Sequence, residues 1–390
     1  KATLFEMDPT VEVEAVQLMQ ERLYEWTEVD ITHRSLVRLG NRVSGIPPLK
    51  GNQLELLVDN TDTMRRLLAD INAAEQSVHM LYYIWMHENI GVRVAEAVAA
   101  AAKRGVKCRV LVDDVGSADF LDSGLPQMLR DAGVEVVVAL PVNPLRSALA
   151  RLDLRNHRKI TVIDGKVAYV GSHNIIDQTF DVSSRRGVGP WIDASLRVRG
   201  PAVQALQTVF LRDWALDCEG PRPNLRELMP DDGTRTGEGK VLHVIPSGPC
   251  NGPVAIRELM LAMIHMAREE IVMTTPYFVP DEAALVSLQV AARRGVEVTL
   301  IVPERHDTRI VEAASRAMYQ ELLDAGVRIY HYKKGLLHAK TFTIDRKLGV
   351  ITSANFDVRS FFLNFEITMV IHDQDFAGEL RFMQKSFEAD

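Results

Sequence analysis

Two histidines of this 390-residue chain each begin the same pattern of polar residues. Both copies read His-x-Lys-x4-Asp and continue, at identical offsets, to a Ser and an Asn. The first copy contains His157, Lys159, Asp164, Ser172 and Asn174, and the second contains His338, Lys340, Asp345, Ser353 and Asn355. A single short polar pattern can arise by chance, but two copies with matching Ser and Asn indicate shared chemistry.

These residue types suit displacement at a phosphodiester. A phosphodiester is anionic and repels nucleophiles until fixed positive charge and hydrogen-bond donors neutralise its oxygens. Lys159 and Lys340 would supply the charge, and the Asn and Ser residues of the motifs would donate hydrogen bonds. One imidazole could then form a phosphohistidine, while the other protonates the leaving oxygen and later deprotonates the incoming hydroxyl. We predict a catalytic set of His157, Lys159, Asp164, His338, Lys340 and Asp345.

Each histidine also needs a partner that fixes its tautomer. A carboxylate that binds the second ring nitrogen performs this task. We predict that Asp193 serves the site around His157 and that Glu366 serves the site around His338. The spacing from histidine to carboxylate differs between the copies, so the repeat itself does not dictate this pairing.

Paired His and Asp residues could instead bind a metal ion such as zinc. The Lys two residues after each His would lie on the same face of a strand and would repel a cation. We therefore predict no metal and no cofactor. The remaining histidines of the 11 in the chain lack comparable neighbours, and we assign them no chemistry.

The residues around the motifs predict the elements that position them. Each Lys is followed by an apolar run that ends at the Asp, then by a turn and a second apolar run that leads to the Ser and Asn. This pattern indicates a strand, a turn and a returning strand in each copy. The repeat extends further, because segments 101–106 and 291–296 are nearly identical, each between a helical run and a strand. A period this long predicts two duplicated α/β lobes.

The composition fits a globular chain of two domains, with 47% hydrophobic and 25% charged residues. We predict an N-terminal helical segment at 1–48, a first lobe at 49–218, a linker at 219–239 and a second lobe at 240–390. The three cysteines are odd in number and widely separated, which argues against a disulfide framework. No window is long and apolar enough to predict a membrane-spanning helix.

Together these residues resemble the phospholipase D superfamily, whose hallmark is two His-x-Lys-x4-Asp motifs that meet at the interface of two similar α/β lobes. The resemblance covers residues 50–372. Within the superfamily the chain is most similar to bacterial cardiolipin synthases, at segments 82–85, 155–159, 189–193, 213–214, 276–281 and 337–340. The fold implied is two lobes, each a mixed β-sheet flanked by helices, with the active site between them.

The resemblance implies transfer of a phosphatidyl group from one phosphatidylglycerol to a hydroxyl of another, which gives cardiolipin and glycerol. It implies that His157 is the nucleophile and His338 the acid and base. We also predict substrate-binding roles for Ser172, Asn174, Ser353, Asn355, Asp193, Glu366, Tyr277 and Arg155. It further implies a catalytic body on the cytoplasmic side of the cytoplasmic membrane, anchor helices before segment 1–48, and a continuation past residue 390.

A lipid substrate would require a local docking surface, because the formal net charge of −7 opposes broad attraction to an anionic bilayer. Arg146, Arg151 and Arg155 alternate with leucines, and this segment could contact the membrane or pack as an ordinary loop and helix. A set of aromatic residues could line the path of the acyl-glycerol group or lie in the core. This set is Tyr82, Tyr83, Trp85, Tyr277 and Phe278.

Two other functions would use the same residues. A phospholipase or nuclease would pass the phosphoryl group to water, but the acidic composition and the lack of a broad basic stripe argue against a nucleic-acid substrate. An inactive scaffold could bind anionic head groups with the same lysines, although both motifs are intact. The predicted partners are phosphatidylglycerol, cardiolipin and an anionic membrane surface, without nucleic acid.

Overall fold

Strands and helices alternate along most of the chain. The computed structural model describes residues 31–142, 153–177, 188–218, 238–249 and 254–389. The strands in these ranges are β1 (Leu49–Leu57), β2 (Ser77–Tyr82), β3 (Lys107–Asp113), β4 (Glu135–Ala139), β5 (Ile160–Ile163), β6 (Val167–Gly171), β7 (Trp191–Ile192), β8 (Ser195–Arg199), β9 (Lys240–Ser247), β10 (Glu270–Thr274), β11 (Phe278–Val279), β12 (Glu297–Pro303), β13 (Arg328–Tyr332), β14 (Leu336–Leu337), β15 (Thr341–Ile344), β16 (Leu348–Thr352), β17 (Phe356–Asp357) and β18 (Glu366–His372).

The helices cover both faces of the sheet. They are α1 (Arg34–Ser44), α2 (Asn60–Asn72), α3 (Asn89–Lys103), α4 (Ala118–Leu121), α5 (Leu125–Asp131), α6 (Ala202–Asp217), α7 (Ala255–Met266), α8 (Glu282–Arg293), α9 (Arg309–Asp324), α10 (Val358–Phe362) and α11 (Gln374–Ala389), with a 3-10 turn at Ile31–His33 before α1. Among these helices, none is long and apolar enough to cross a bilayer.

The two lobes share one continuous mixed sheet, and its order is β13-β12-β10-β15-β16-β18-β9-β1-β8-β6-β5-β2-β3-β4. Read outward from the central antiparallel pair β1 and β9, the two halves have the same strand order. In each half the three outermost strands pair in parallel and the others are antiparallel. The predicted fold class is confirmed. Because β1 of the first lobe pairs with β9 of the second, neither of these central strands is left as an unpaired edge.

Each motif forms a hairpin, as the sequence predicts. β5 pairs with β6 and β15 pairs with β16, both antiparallel. The first turn has φ angles of 52° at Asp164 and 63° at Gly165, and the second has 52° at Asp345 and 53° at Arg346. Two successive positive φ angles match the twist of a tight hairpin and favour glycine. Arg346 therefore adopts a backbone conformation that a non-glycine residue takes at a cost of about 1 kcal/mol.

The core has one shared part and two separate parts. One apolar cluster includes α6, α11 and strands of both lobes, and residues 202–214 of α6 are buried on every side. On the other face, each lobe packs its own helices against its half of the sheet. A fully buried side chain such as Phe210 contributes about 2–3 kcal/mol. The shared cluster therefore fixes one lobe against the other.

Several predictions of domain limits fall partly outside the described residues. The N-terminal segment is described only from residue 31, and most of the linker lies at 219–237, outside the described ranges. Arg146 and Arg151 also lie outside them. The boundaries stay predictions, although β1 begins at Leu49 and β9 at Lys240.

Candidate active site

The two motif histidines are held by backbone hydrogen bonds to the opposite lobe. His157 N donates to Phe365 O at 2.9 Å, and Phe365 N donates to Arg155 O at 2.9 Å. His338 N donates to Ile192 O at 2.8 Å, beside the parallel pairing of β14 with β7. Each lobe therefore inserts its histidine segment into the other, and the two imidazoles lie at the interface.

The carboxylate partners pair crosswise between the lobes. His157 Nδ1 lies 3.0 Å from both carboxylate oxygens of Glu366. His338 Nδ1 lies 2.6 Å from Asp193 Oδ1. The prediction that Asp193 serves His157 and Glu366 serves His338 is wrong, because the exchange of histidine segments brings together residues that are distant in sequence.

The motif serines hold these carboxylates. Ser172 Oγ donates to Asp193 Oδ1 at 2.6 Å, and Ser353 Oγ donates to Glu366 Oε2 at 2.5 Å. Both hydroxyls also accept a backbone N–H, from Ala194 and Ile367 respectively. The serines and carboxylates thus form a supporting layer behind the histidines, which differs from the direct substrate-binding role predicted for them.

The two motif asparagines have opposite orientations. Asn174 Oδ1 accepts the Ile84 N–H at 3.1 Å, and its Nδ2 has no partner among the described residues. The Asn355 side chain instead hydrogen-bonds Asp357, and its Oδ1 has no partner among the described residues. Asn174 therefore keeps a free donor, whereas Asn355 keeps a free acceptor, and the binding of substrate by the two side chains stays a prediction.

Lys159 and Lys340 bring positive charge to the same buried region. Lys159 Nζ donates to His157 O at 2.5 Å, and Lys340 Nζ donates to His338 O at 2.6 Å. Burial lowers the pKa of Lys159 to about 7 and the pKa of Lys340 to about 8, against the attraction of the buried carboxylates. Each ammonium has three donors, so a phosphodiester between the two lysines would be held from both lobes.

The histidines are neutral in the resting site. Burial lowers the pKa of both imidazoles, and the charges of Lys159 and Lys340 each lower it further at both rings. Burial alone would raise the pKa of Glu366, but His157 and Lys159 lower it to about 2. An ionised carboxylate fixes the proton on Nδ1 of each ring, which leaves Nε2 as the reactive nitrogen.

The motif aspartates lie at the far ends of their strands. The Asp164 carboxylate accepts the N–H groups of residues 75–77, and the Asp345 carboxylate accepts those of residues 268–270. About 16 Å of extended chain separates each aspartate from its motif lysine. This placement corrects the prediction that Asp164 and Asp345 belong to the catalytic set, because both clamp the turn before a neighbouring strand.

Arg155 is 3% exposed and lies inside the first lobe. Its guanidinium donates to Asp113 at 3.3 Å and to Leu140 O at 2.8 Å. The adjacent Arg158 is also buried and pairs with Asp213. The predicted docking role of Arg155 is therefore wrong, because a buried guanidinium paired with Asp113 cannot contact a membrane surface. Its predicted role in substrate binding stays a prediction.

Aromatic rings flank both imidazoles. The Tyr83 ring lies 4.8 Å from the His157 ring and 5.2 Å from Lys159 Nζ. The Trp191 ring lies 4.4 Å from the His338 ring. Of the other predicted aromatics, Tyr82, Trp85 and Phe278 belong to the core, and the half-buried Tyr277 donates its hydroxyl to Asp307 at 2.7 Å. Sequence reasoning assigned no role to Trp191, although it lies only two residues before Asp193.

Comparisons with known proteins agree with this geometry. A family model described as "Cardiolipin synthase, PLD-like domain" matches residues 67–214 and 260–390. Cardiolipin synthase A of Yersinia pseudotuberculosis serotype O:1b (strain IP 31758) is 43% identical over 357 residues, which are 91% of this chain and 73% of that protein. Cardiolipin synthase A of Yersinia pestis matches to the same extent.

Solved structures show the same fold at low identity. Phosphatidylserine synthase of Haemophilus influenzae Rd KW20 has a TM-score of 0.65 and 16% identity over 91% of both chains. Polyphosphate kinase of Porphyromonas gingivalis has a TM-score of 0.54 and 16% identity over 85% of this chain and 50% of that one. With two intact motifs at the lobe interface and a family match across both lobes, the chain belongs to the phospholipase D-like family of cardiolipin synthases.

Proposed function

We propose that this enzyme transfers a phosphatidyl group between two phosphatidylglycerol molecules and releases glycerol. The observation that carries the proposal is the pair of imidazoles, each held by a carboxylate of the other lobe and each beside a buried lysine. This arrangement offers one nucleophile, one acid and base, and an anion site between them. The likeness to cardiolipin synthase A supports the choice of substrates.

In the first half-reaction, Lys159, Lys340 and Asn174 Nδ2 bind the non-bridging oxygens of the donor lipid. We assign the attack to Nε2 of His157, by the resemblance to the superfamily. A bond forms between this nitrogen and phosphorus, and the bond from phosphorus to the glycerol oxygen breaks. His338, protonated on Nε2 when the anion is bound, gives its proton to that oxygen, and glycerol leaves.

In the second half-reaction, the neutral His338 removes the proton from a hydroxyl of the second phosphatidylglycerol. The resulting oxygen attacks phosphorus, the bond to His157 breaks, and cardiolipin is released. Glu366 stabilises the positive charge that His157 carries while it is bonded to phosphorus, and Asp193 does the same for the protonated His338. The crosswise pairs thus alternate in charge as the proton moves.

The proposed reaction also implies where in the cell the enzyme works. The substrates and product are anionic membrane lipids, so the lobe interface that carries the two histidines must be accessible from a membrane surface. We place the catalytic body on the cytoplasmic side, which agrees with the free thiols of Cys108 and Cys218. The acidic composition agrees with a lipid substrate in preference to nucleic acid.

One assay tests the proposal against its two alternatives. Purified protein is incubated with labelled phosphatidylglycerol in mixed detergent micelles, beside a His338→Ala control. Formation of cardiolipin and glycerol supports the transferase, and phosphatidic acid as the sole product would instead establish a phospholipase. Retention of the label in phosphatidylglycerol, with lipid binding intact, would establish an inactive scaffold.

A further inference from the structure

A group of exposed basic residues surrounds one protruding apolar side chain in the second lobe. Ile310, at the start of α9, is 80% exposed. Arg305, in the loop before α9, lines one surface depression with basic residues of the loop between β13 and β14 and a second with basic residues of the first turns of α9, so these residues and Ile310, next to Arg309 in the chain, form one continuous surface. We call this group the basic rim, and it consists of Arg305, Arg309, Ile310, Arg316, Lys333 and Lys334.

The basic rim adjoins the active site at two points. Lys333 and Lys334 lead directly through β14 to His338. At the second point, the loop of Lys333 and Lys334 lies against Gly189, and Leu336 N donates to Pro190 O at 2.9 Å, in the first-lobe segment that leads to Asp193. The rim therefore borders the His338 side of the lobe interface.

The charge of the rim is positive after its acidic neighbours are included. Five basic side chains belong to it, and three acidic ones lie among them, namely Glu304, Asp307 and Glu312. Asp307 accepts the Tyr277 hydroxyl, and Glu312 pairs with Arg316 at 3.0 Å. This surface is thus locally basic in a chain whose formal net charge is −7.

In the part of the first lobe that the structure describes, the residues directly after the equivalent strand are acidic. β3 corresponds to β12 in the repeat, and the residues that follow β3 include Asp114, Asp119 and Asp122 around Val115, which is 53% exposed. An anionic surface would repel this group and attract the basic rim. The residues after β3 and those after β12 therefore differ in charge at the same position of the repeat.

We propose that the basic rim docks on an anionic lipid bilayer, with Ile310 inserted below the head groups and the basic side chains at the level of the phosphates. This inference rests on the proposed function, because an enzyme that exchanges phosphatidyl groups must reach lipids in a bilayer. An exposed apolar residue at the end of a helix and surrounded by Arg and Lys is suited to this position. Of the arginines predicted to dock, Arg155 is buried, whereas every basic residue of the rim is exposed.

The test is co-sedimentation of this chain with phosphatidylcholine vesicles that contain from none to half phosphatidylglycerol. Each basic charge near an anionic surface strengthens partitioning roughly fivefold, so Arg309→Ala with Lys333→Ala should weaken it about 25-fold. Ile310→Ser should weaken it roughly tenfold through lost apolar burial. Phe382→Ser on α11 is the matched control, because Phe382 is 78% exposed but lies outside the rim, and Arg93→Ala with Lys103→Ala on α3 controls for charge.

Equal partitioning of the rim variants and the wild type would overturn the proposal. So would equal losses in the Phe382→Ser control, or rim-dependent binding to a short DNA duplex without any effect on vesicles. Cardiolipin formation in detergent micelles is measured in parallel and should be unchanged in the rim variants. If the wild type made no cardiolipin in micelles, the proposed function would fail, while the vesicle result would still decide the docking surface.

Discussion

The two halves of the active site use matching catalytic atoms but different surroundings. On the His157 side, the neighbours in the motif are Arg155, Asn156 and Arg158, all buried and hydrogen-bonded to carboxylates or carbonyls. On the His338 side, the equivalent positions are Leu336, Leu337 and Ala339, all buried in apolar surroundings. Both histidines are held by a carboxylate, but the residues that flank His157 are fixed by ion pairs and hydrogen bonds, whereas those that flank His338 are fixed by apolar packing.

This difference shows which parts of the repeat the chemistry requires. The histidine, the lysine, the serine that supports a carboxylate, and the crosswise carboxylate occur in both halves. Buried ion pairs cost desolvation and add little net stability, but they fix orientation. Arg158 extends from Asp213 of the first lobe to the carbonyl of Glu366 in the second, so it orients the carboxylate that serves His157. We infer that the His157 half is built for fixed geometry, as a nucleophile requires.

The largest expected effect separates the roles of the two histidines. Replacement of either by Ala should lower kcat by about 10⁴-fold or more, because each acts in both half-reactions. With labelled phosphatidylglycerol, His338→Ala should still accumulate a phosphorylated enzyme slowly, with the label on His157. Peptide mapping of the trapped protein measures this. A label on His338 in the His157→Ala variant would reverse the assignment.

The next effect tests the crosswise pairs. Glu366→Gln should lower kcat by about 10³-fold and prevent phosphoenzyme formation at His157, because the amide no longer fixes the tautomer or stabilises the charge. Asp193→Asn should cause a similar loss but mainly slow the breakdown of the phosphoenzyme, through His338. Rapid-quench measurement of labelled enzyme distinguishes the two. If the carboxylates served the histidines nearest in sequence, the two kinetic signatures would be exchanged.

The crosswise pairs also mark the limit of what the sequence predicts. The periodicity of the residues around each motif predicts the hairpins, and the repeat predicts two lobes, because both features are local or compare like with like. The pairing of His157 with Glu366 depends on a segment crossing into the other lobe, and nothing local encodes it. Arg155 shows the same limit, since a buried Asp113 converts an apparent surface arginine into an internal one.

The prediction that the motif aspartates are catalytic was wrong for a different reason. Their spacing from the histidine is the same in both copies, and a repeated residue suggests shared chemistry. The structure shows that the repeat also preserves a folding device, in which a carboxylate at a hairpin turn accepts three backbone N–H groups. A residue that recurs at the same spacing in both motifs can therefore be required for the hairpin fold and not for catalysis.

Loss of the ion pair on the His157 side should destabilise the fold. Arg158→Met would leave Asp213 buried without its guanidinium partner, and the free energy of unfolding should fall by about 3–5 kcal/mol. The double variant with Asp213→Asn should recover most of this loss, because the amide carries no charge and Asn156 remains as its partner. Urea unfolding followed by tryptophan fluorescence measures both. An unchanged midpoint for the single variant would show that the pair does not stabilise this half.

A smaller effect should separate the two motif aspartates from catalysis. Asp164→Asn should lower the free energy of unfolding by about 2 kcal/mol, because the buried Asp164 carboxylate is the charged acceptor of three backbone N–H groups. Asp345→Asn should cost less than about 1 kcal/mol, since the Asp345 carboxylate is only half-buried and its hydrogen bonds to residues 268 and 269 are exposed to solvent. In both variants the kcat of the folded fraction should stay within about twofold. A hundredfold loss of kcat without a change in stability would restore these residues to the catalytic set.

The smallest contrast concerns the two lysines and pH. A lysine must be protonated to bind the phosphodiester, and the pKa of Lys159 is about 7 while that of Lys340 is about 8. Both values lie below the ordinary lysine pKa, so kcat/KM, which reports the free enzyme, should fall as pH rises above about 7 and fall more steeply above about 8. The bound anion raises both pKa values, so kcat should fall only at higher pH. Profiles between pH 6 and 10 measure the two limbs, and a kcat/KM that stays level up to pH 10 would mean that these lysines remain fully charged without substrate.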